Sequence, residues 1–130
     1  MDSSVVLAWL LPDEHSHDAE SILTRMRDES AAAPALLRVE VGSALLAASR
    51  RGRISDDSLS EAFVKFEAYP IDIVPIETEH VREAMTLGTR YALTVYDALY
   101  LRLAAAHQAV LCSYDAALLA AASRHGVACG

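Results

Sequence analysis

Apolar residues recur along this chain in two alternating patterns, one typical of helices and one typical of short buried strands. Apolar positions spaced three or four residues apart predict seven helices, over residues 4–11, 15–27, 36–51, 55–69, 77–91, 95–107 and 116–125. Short apolar runs between them predict four strands, over residues 31–33, 72–76, 110–113 and 127–129. Helices that alternate with strands in this way predict an α/β fold with a mostly parallel sheet.

The length of 130 residues predicts a single domain that spans residues 1–130. Apolar residues make up 53% of the chain and charged residues 22%, which is typical of a packed globular protein and excludes a disordered one. No apolar run approaches the ~18 residues that cross a membrane, and the longest run lacks the flanks of a signal peptide. We therefore expect no membrane partner and a cytoplasmic location. Cys112 and Cys129 are too few for a disulfide framework.

The charge balance restricts the ways in which this protein could act on nucleic acid. Acidic residues outnumber Lys and Arg by 18 to 11, and the formal net charge is −7. A protein that binds RNA or DNA by phosphate neutralisation alone carries a basic face. Any role on nucleic acid therefore requires metal ions, a local arginine patch or a basic partner.

Two acids interrupt strongly apolar helices without a cation to pair with on the same helix. Glu40 and Asp97 have no Lys or Arg three or four residues away, the spacing that brings side chains together on one helix face. An ionised carboxylate on a mostly buried helix is costly unless a charge or a hydrogen bond compensates it. A divalent metal ion is one such compensation.

Two further acids, Asp2 and Asp115, are predicted to lie at the carboxyl ends of strands, where open α/β sheets bind ligands. If they meet Glu40 and Asp97 there, the charges repel one another. Two like charges ~4 Å apart cost about 4 kcal/mol at an effective dielectric constant near 20. Hard carboxylate oxygens of this kind suit Mg²⁺ or Mn²⁺.

Each acid also has an ordinary structural explanation, and the residue pattern leaves these alternatives open. Asp2 and Asp115 could cap the helices that follow them. Glu40 could pair with an arginine from another helix, such as Arg102. Asp97 could cap a helix that begins at Ala98, or it could bond to Thr94.

The four acids lie in four short segments that follow one another in a fixed order. Residues 1–14 open with Asp-x-Ser, residues 37–45 surround Glu40, residues 96–101 surround Asp97, and residues 111–115 place Ser two positions before Asp. Together these segments resemble the motifs of the PIN-domain ribonucleases, most closely the VapC-type toxins of bacterial toxin–antitoxin pairs. The resemblance covers nearly the whole chain, and it implies a three-layer α/β/α fold with a central parallel sheet.

The resemblance also implies a function and a set of site residues. It implies metal-dependent hydrolysis of RNA phosphodiester bonds, with Mg²⁺ as the cofactor and Mn²⁺ as its substitute. It implies a cognate antitoxin and a homodimer as partners, with apolar surfaces near residues 10–12 and on the helix after Ser55 as places for the antitoxin. The implied catalytic and metal-binding residues are Asp2, Glu40, Asp97 and Asp115, with the hydroxyls of Ser4 and Ser113 orienting a carboxylate or a water.

The chain departs from the motif pattern of this family at two places. Only Met1 precedes Asp2, where the family has three or four apolar residues that form a central strand, so we expect the native chain to begin upstream of Met1. Ser43 stands where the family often has Asn. A catalytically inactive PIN-like module that only binds a partner is therefore the alternative function. A metal phosphatase on another scaffold is disfavoured, because the chain lacks an Asp-x-Asp nucleophile motif.

Overall fold

The computed structural model describes residues 1–14 and 16–130, which form an α/β fold. The helices are α1 (Ser3–Leu10), α2 (His17–Arg25), α3 (Leu36–Arg50), α4 (Asp56–Glu67), α5 (Thr78–Tyr91), α6 (Val95–Ala106) and α7 (Ala116–Arg124). The strands are β1 (Ala31–Pro34) and β2 (Ile71–Val74). The order of helices and strands is therefore the predicted one as far as α6.

Side-chain caps determine where several helices begin. The Ser55 hydroxyl accepts a hydrogen bond from the Ser58 N–H, as the sequence predicted for the start of α4. The Ser16 hydroxyl caps α2 in the same way, so this helix begins at His17. His15, at which the predicted helix begins, lies outside the described residues.

The sheet is built on a parallel pair of strands. β1 and β2 run parallel, with Ala31 opposite Ile71 and Pro34 opposite Val74. β2 ends at Val74 rather than at the predicted residue 76, because Pro75 has no N–H to continue the ladder. The predicted parallel sheet is confirmed.

The predicted strands over residues 110–113 and 127–129 are wrong as regular strands. The structure has a single parallel bridge in their place, between Leu111 and Cys129. The ladder stops because the chain turns into the start of α7, where the Ser113 hydroxyl accepts a bond from a backbone N–H two residues later. A local turn thus replaces the ladder that the apolar pattern predicts.

Met1 and Asp2 lie between β1 and the segment that contains Leu111. The Met1 nitrogen donates to the Ala32 carbonyl oxygen at 3.2 Å, and the Asp2 N–H donates to the Cys112 carbonyl oxygen at 3.0 Å. These two bonds connect the two parts of the sheet. They also place the Asp2 side chain at the centre of the fold, next to the start of α1.

The helices pack in two groups, and β1 contacts a helix of each group. Helices α1, α3 and α4 pack against one another, and α6 packs against α5 and α7, while β1 contacts both α3 and α6. Large side chains from both groups and from the bridge at Leu111 are fully buried, which gives the α/β arrangement one core. They include Val5, Val6, Leu37, Val41, Leu45, Leu101, Leu111 and Leu118.

The helices are short for membrane segments. The longest, α3, has 15 residues, whereas a membrane span needs about 20. Within residues 1–14 and 16–130, no helix combines the length and the hydrophobicity needed to cross a membrane.

Candidate active site

The Asp2 carboxylate is buried and held by three hydrogen-bond donors. It is 5% exposed, and its Oδ1 accepts bonds from the Ser4 N–H at 3.1 Å and from the Ser4 hydroxyl at 2.6 Å. Its Oδ2 accepts a bond from the buried Ser113 hydroxyl at 2.6 Å. Both carboxylate oxygens therefore have a fixed orientation at the start of α1.

The two serines tie Asp2 to the loop that precedes α7. The Ser4 hydroxyl oxygen accepts a bond from the Tyr114 N–H at 2.8 Å. The Ser113 hydroxyl oxygen accepts a bond from the Asp115 N–H at 2.9 Å. The first and last acidic segments of the chain are thus joined by hydrogen bonds through two hydroxyl groups.

Asp2 and Asp115 are both helix caps. Asp2 caps α1 through Ser4, and the exposed Asp115 caps α7 by accepting a bond from the Leu118 N–H at 2.8 Å. The capping alternative is therefore observed for both residues. It does not exclude a second role, because the Asp115 cap bond uses only Oδ1.

Asp97 lies in the first turn of α6 and is half-buried. Thr94 caps this helix by accepting a bond from the Asp97 N–H at 3.1 Å, so the helix does not begin at Ala98 and Asp97 is not its cap. Gly88 allows the preceding turn, because a Cβ atom there would lie 2.9 Å from the Leu93 carbonyl oxygen. The close approach of α5 to this turn helps to place the start of α6.

Glu40 projects from α3, and a tyrosine from α6 is its partner. The Tyr100 hydroxyl donates a hydrogen bond to Glu40 Oε1. The suggested pairing of Glu40 with Arg102 is wrong, because Arg102 pairs with Glu83 at 2.5 Å. A neutral hydroxyl group therefore takes the place that a cation could have filled.

The pKa shifts of Glu40 and Asp97 include contributions from the charges of other acids in the group. Burial raises the pKa of Glu40, the bond from Tyr100 opposes that rise, and the charges of Asp2 and Asp97 add to it. Burial also raises the pKa of Asp97, with a further rise from the charge of Asp115 and a smaller one from Asp2. We refer to Asp2, Glu40, Asp97 and Asp115 as the acidic cluster.

Ion pairs within the described residues lie away from the acidic cluster. Arg53 pairs with Asp13 and Glu14, each at 2.8 Å, and Arg102 pairs with Glu83. No ion pair among residues 1–14 and 16–130 neutralises a member of the cluster. Apart from the charge of the Met1 amino group, which interacts with Asp2, the negative charge of the cluster is left for a ligand to balance.

The oxygen donors of the acidic cluster suit a hard divalent cation. Across residues 1–14 and 16–130, no three His, Cys, Asp or Glu side chains converge closely enough to form a ready metal cage. Mg²⁺ does not require such a cage, because it keeps several waters and binds proteins through one or two carboxylates together with substrate phosphates. The residues present therefore fit a Mg²⁺-type ion by the chemistry of their donors.

A cavity of about 230 Å³ is lined in part by Met1, the neighbour of Asp2 in the chain. Its lining includes Met26, Ala32, Val110 and Cys112, and no residue of the acidic cluster. The two acids in its lining, Glu29 and Asp72, lie outside the four segments that the sequence singled out. The acidic cluster is therefore the candidate site.

Comparison with known proteins identifies the family. A profile of the family described as "PIN domain" matches residues 1–125. The chain belongs to the PIN domain family. This PIN domain is also similar to "Ribonuclease VapC3" of Pyrobaculum aerophilum, with 29% identity over 105 residues, which cover 80% of this chain and 79% of that protein. The resemblance to PIN-domain ribonucleases of the VapC type, which the sequence motifs indicate, is confirmed.

Sequence reasoning missed Tyr100 as a member of the site. The PIN domain places it three residues after Asp97, on the same face of α6. A buried tyrosine needs a partner for its hydroxyl group, and no apolar neighbour on its own helix supplies one. The need of the Tyr100 hydroxyl for a hydrogen-bond partner was the signal available in the sequence, although it could not reveal Glu40 as that partner.

The raised pKa of Glu40 predicts that Glu40→Gln stabilises the metal-free PIN domain at pH 7. The folded state binds this proton more tightly than the unfolded state, so the wild type loses stability as pH rises from the ordinary value of 4.5 through the raised folded value. Gln carries no ionisable proton, so the variant does not lose this stability. After solvent screening, we expect Tm to increase by about 2–4 °C in calorimetry with EDTA.

The exposed glutamate Glu61 on α4 supplies the control for this measurement. Glu61→Gln is expected to leave Tm unchanged. The advantage of Glu40→Gln should shrink as pH falls from the raised folded value towards 4.5 and be absent below 4.5, where wild-type Glu40 is neutral in both states. A Glu40→Gln variant that melts at or below the wild-type temperature at pH 7 contradicts the prediction.

Proposed function

We propose that this PIN domain is a metal-dependent endoribonuclease that hydrolyses RNA phosphodiester bonds and acts as the toxin of a toxin–antitoxin pair. The acidic cluster is the observation that carries this proposal. Burial raises the pKa values of Glu40 and Asp97, the charges of other members of the cluster add to both rises, and no ion pair of the described residues balances those charges. The similarity to a protein named Ribonuclease VapC3 supports the same activity and the same biological role.

The proposed cofactor is Mg²⁺, with Mn²⁺ as its substitute. Asp2 and Asp97 are the most direct ligands in this proposal, and Glu40 and Asp115 complete the site directly or through water. A bound divalent cation supplies positive charge for the phosphate group and lowers the pKa of water. That charge also offsets the repulsion between RNA and a protein of net charge −7.

The side chains of this PIN domain have distinct parts in the proposed reaction. Ser4 and Ser113 hold both oxygens of Asp2, which keeps that carboxylate from turning away from the substrate phosphate. Glu40 and Asp97 both have raised pKa values, so both are carboxylates of the cluster suited to accept a proton from the attacking water. The leaving 3′-oxygen departs on the side opposite to that water.

The cleavage experiment uses total cellular RNA, the purified protein and Mn²⁺, with new RNA ends mapped. We expect discrete cuts that disappear when EDTA is added, because the acids alone repel the phosphate backbone. Mapped ends would also identify the RNA that is cut. A folded protein that leaves RNA uncut with Mn²⁺ contradicts the proposed activity.

Apolar surface on α3 and α4 supports the proposed antitoxin and homodimer partners. Val39 is 68% exposed and Val64 is 63% exposed, and their helices pack side by side. Large exposed apolar side chains are typical of protein contact surfaces when they lie on adjoining elements. Leu11 is buried, which removes it from the surface suggested near residues 10–12.

A catalytically inactive module that only binds a partner is the second candidate. One observation favours it: within the described residues, no three ligating side chains form a ready metal cage. The same cleavage experiment separates the two, because an inactive module leaves RNA uncut at every Mn²⁺ concentration. We place it second because all four motif acids are present and interact.

A further inference from the structure

Tyr100 occupies a buried position in α6 from which its hydroxyl group reaches an acid on α3. The residue is 2% exposed, and its hydroxyl donates to Glu40 Oε1 across a separation of 60 residues along the chain. The described residues give Glu40 Oε2 no hydrogen bond. One carboxylate oxygen is therefore held and the other is available.

The position of Tyr100 on its helix connects it to a second acid. Asp97 and Tyr100 are three residues apart in α6, so they lie on the same face. That face supplies one acid of the cluster directly and a hydrogen-bond donor for another. Asp2 has a comparable arrangement, in which Ser4 and Ser113 hold its oxygens.

Burial of a tyrosine side chain does not by itself account for the hydrogen bond between Tyr100 and Glu40. Tyr69 is another tyrosine whose hydroxyl oxygen is buried, and it has no hydrogen-bond partner among the described residues. This fold therefore accommodates one buried phenol without a partner, although such a group is costly. Tyr100 instead meets a carboxylate of the acidic cluster, and hydrogen bonds to charged groups are stronger than neutral ones.

We propose that Tyr100 is a positioning residue for the acidic cluster: its hydroxyl holds Oε1 of Glu40 and leaves Oε2 available to a bound cation or its water. This inference rests on the proposed function, since it gives Glu40 a place in the cation site. Tyr100 does not touch the RNA or the cation in this proposal. It acts through Glu40, as groups behind metal ligands do in other proteins.

The test compares Mn²⁺ binding by the wild type and by Tyr100→Phe, without RNA, through the electron paramagnetic resonance signal of free Mn²⁺. Phe fills the same space and removes only the hydroxyl group. We expect the Kd for Mn²⁺ to rise about 10–100-fold, the usual effect of losing a group that orients a metal ligand. RNA cleavage should fall at limiting Mn²⁺ and recover when Mn²⁺ is raised by the same factor.

Tyr91→Phe is the matched control. The Tyr91 hydroxyl bonds to His125 Nδ1 at 2.7 Å, at the end of α7 remote from Asp115. This variant loses a tyrosine hydrogen bond outside the cluster, and it should bind Mn²⁺ as the wild type does. Equal weakening in Tyr91→Phe and Tyr100→Phe would overturn the positioning role, and so would unchanged binding by Tyr100→Phe.

A second comparison keeps the proposal testable if Tyr100→Phe is less stable than the wild type. In a Glu40→Gln background, the further change to Phe should alter the Kd for Mn²⁺ by less than about twofold, because Tyr100 acts through the Glu40 carboxylate. A full additional loss in that background would overturn the proposal. A wild type that binds no Mn²⁺ at all would instead overturn the proposed function itself.

Discussion

Asp97→Asn is expected to abolish metal-dependent RNA cleavage while the protein stays folded. Asp97 lies in the first turn of α6, half-buried and within electrostatic reach of Asp115 and Asp2. Asn keeps the size of the side chain and removes the charge that would bind a cation. We expect the cleavage rate to fall by more than about 100-fold, the upper end of what losing an outer-shell partner costs.

The test of Asp97→Asn measures both its melting temperature and its rate of RNA cleavage. The raised pKa of Asp97 means that its charge is unfavourable in the metal-free fold, so the Tm of Asp97→Asn should equal or slightly exceed that of the wild type. Asp57→Asn is the matched control, since Asp57 lies in the first turn of α4 and is exposed. Wild-type cleavage by Asp97→Asn would remove Asp97 from the site.

Asp2→Ala is expected to have the largest effect on stability among the acids of the cluster. It removes the α1 cap, worth about 1 kcal/mol, and leaves the buried Ser113 hydroxyl without its acceptor, at a cost of about 1–3 kcal/mol. We expect a loss of about 2–4 kcal/mol in the free energy of unfolding. Urea denaturation should show a lower midpoint with an unchanged slope.

Asp115→Ala provides the comparison, because Asp115 is also a cap but is exposed. Its loss should cost only about 1 kcal/mol. Asp2→Asn should be milder than Asp2→Ala, since its amide oxygen can still accept a bond from Ser4, yet it should lose cleavage as Asp97→Asn does. Equal midpoints for Asp2→Ala and Asp115→Ala would show that the buried contacts of Asp2 contribute nothing.

Local signals in the sequence predicted the helices and the parallel pair of strands. Ser55 marks the start of α4, and Pro75 explains why β2 ends two residues before the predicted end. These features depend on residues close together in the chain, through helical periodicity, side-chain caps and missing backbone donors. The motif acids were recognisable for the same reason, since each lies in a short segment of its own.

Contacts between distant segments were decided only by the tertiary structure. Glu40 meets Tyr100 rather than Arg102, and the predicted strand at residues 110–113 contributes only the bridge at Leu111. The charges of Asp2, Asp97 and Asp115 contribute to the pKa shifts of Glu40 or Asp97, although the four acids form no closed cage among the described residues. The sequence by itself therefore determined which helices form, where they begin and which acids stand out. Which side chains meet depended on how α3, α6 and the sheet pack, because a long-range partner is selected by the packed core and leaves no periodic trace in the chain.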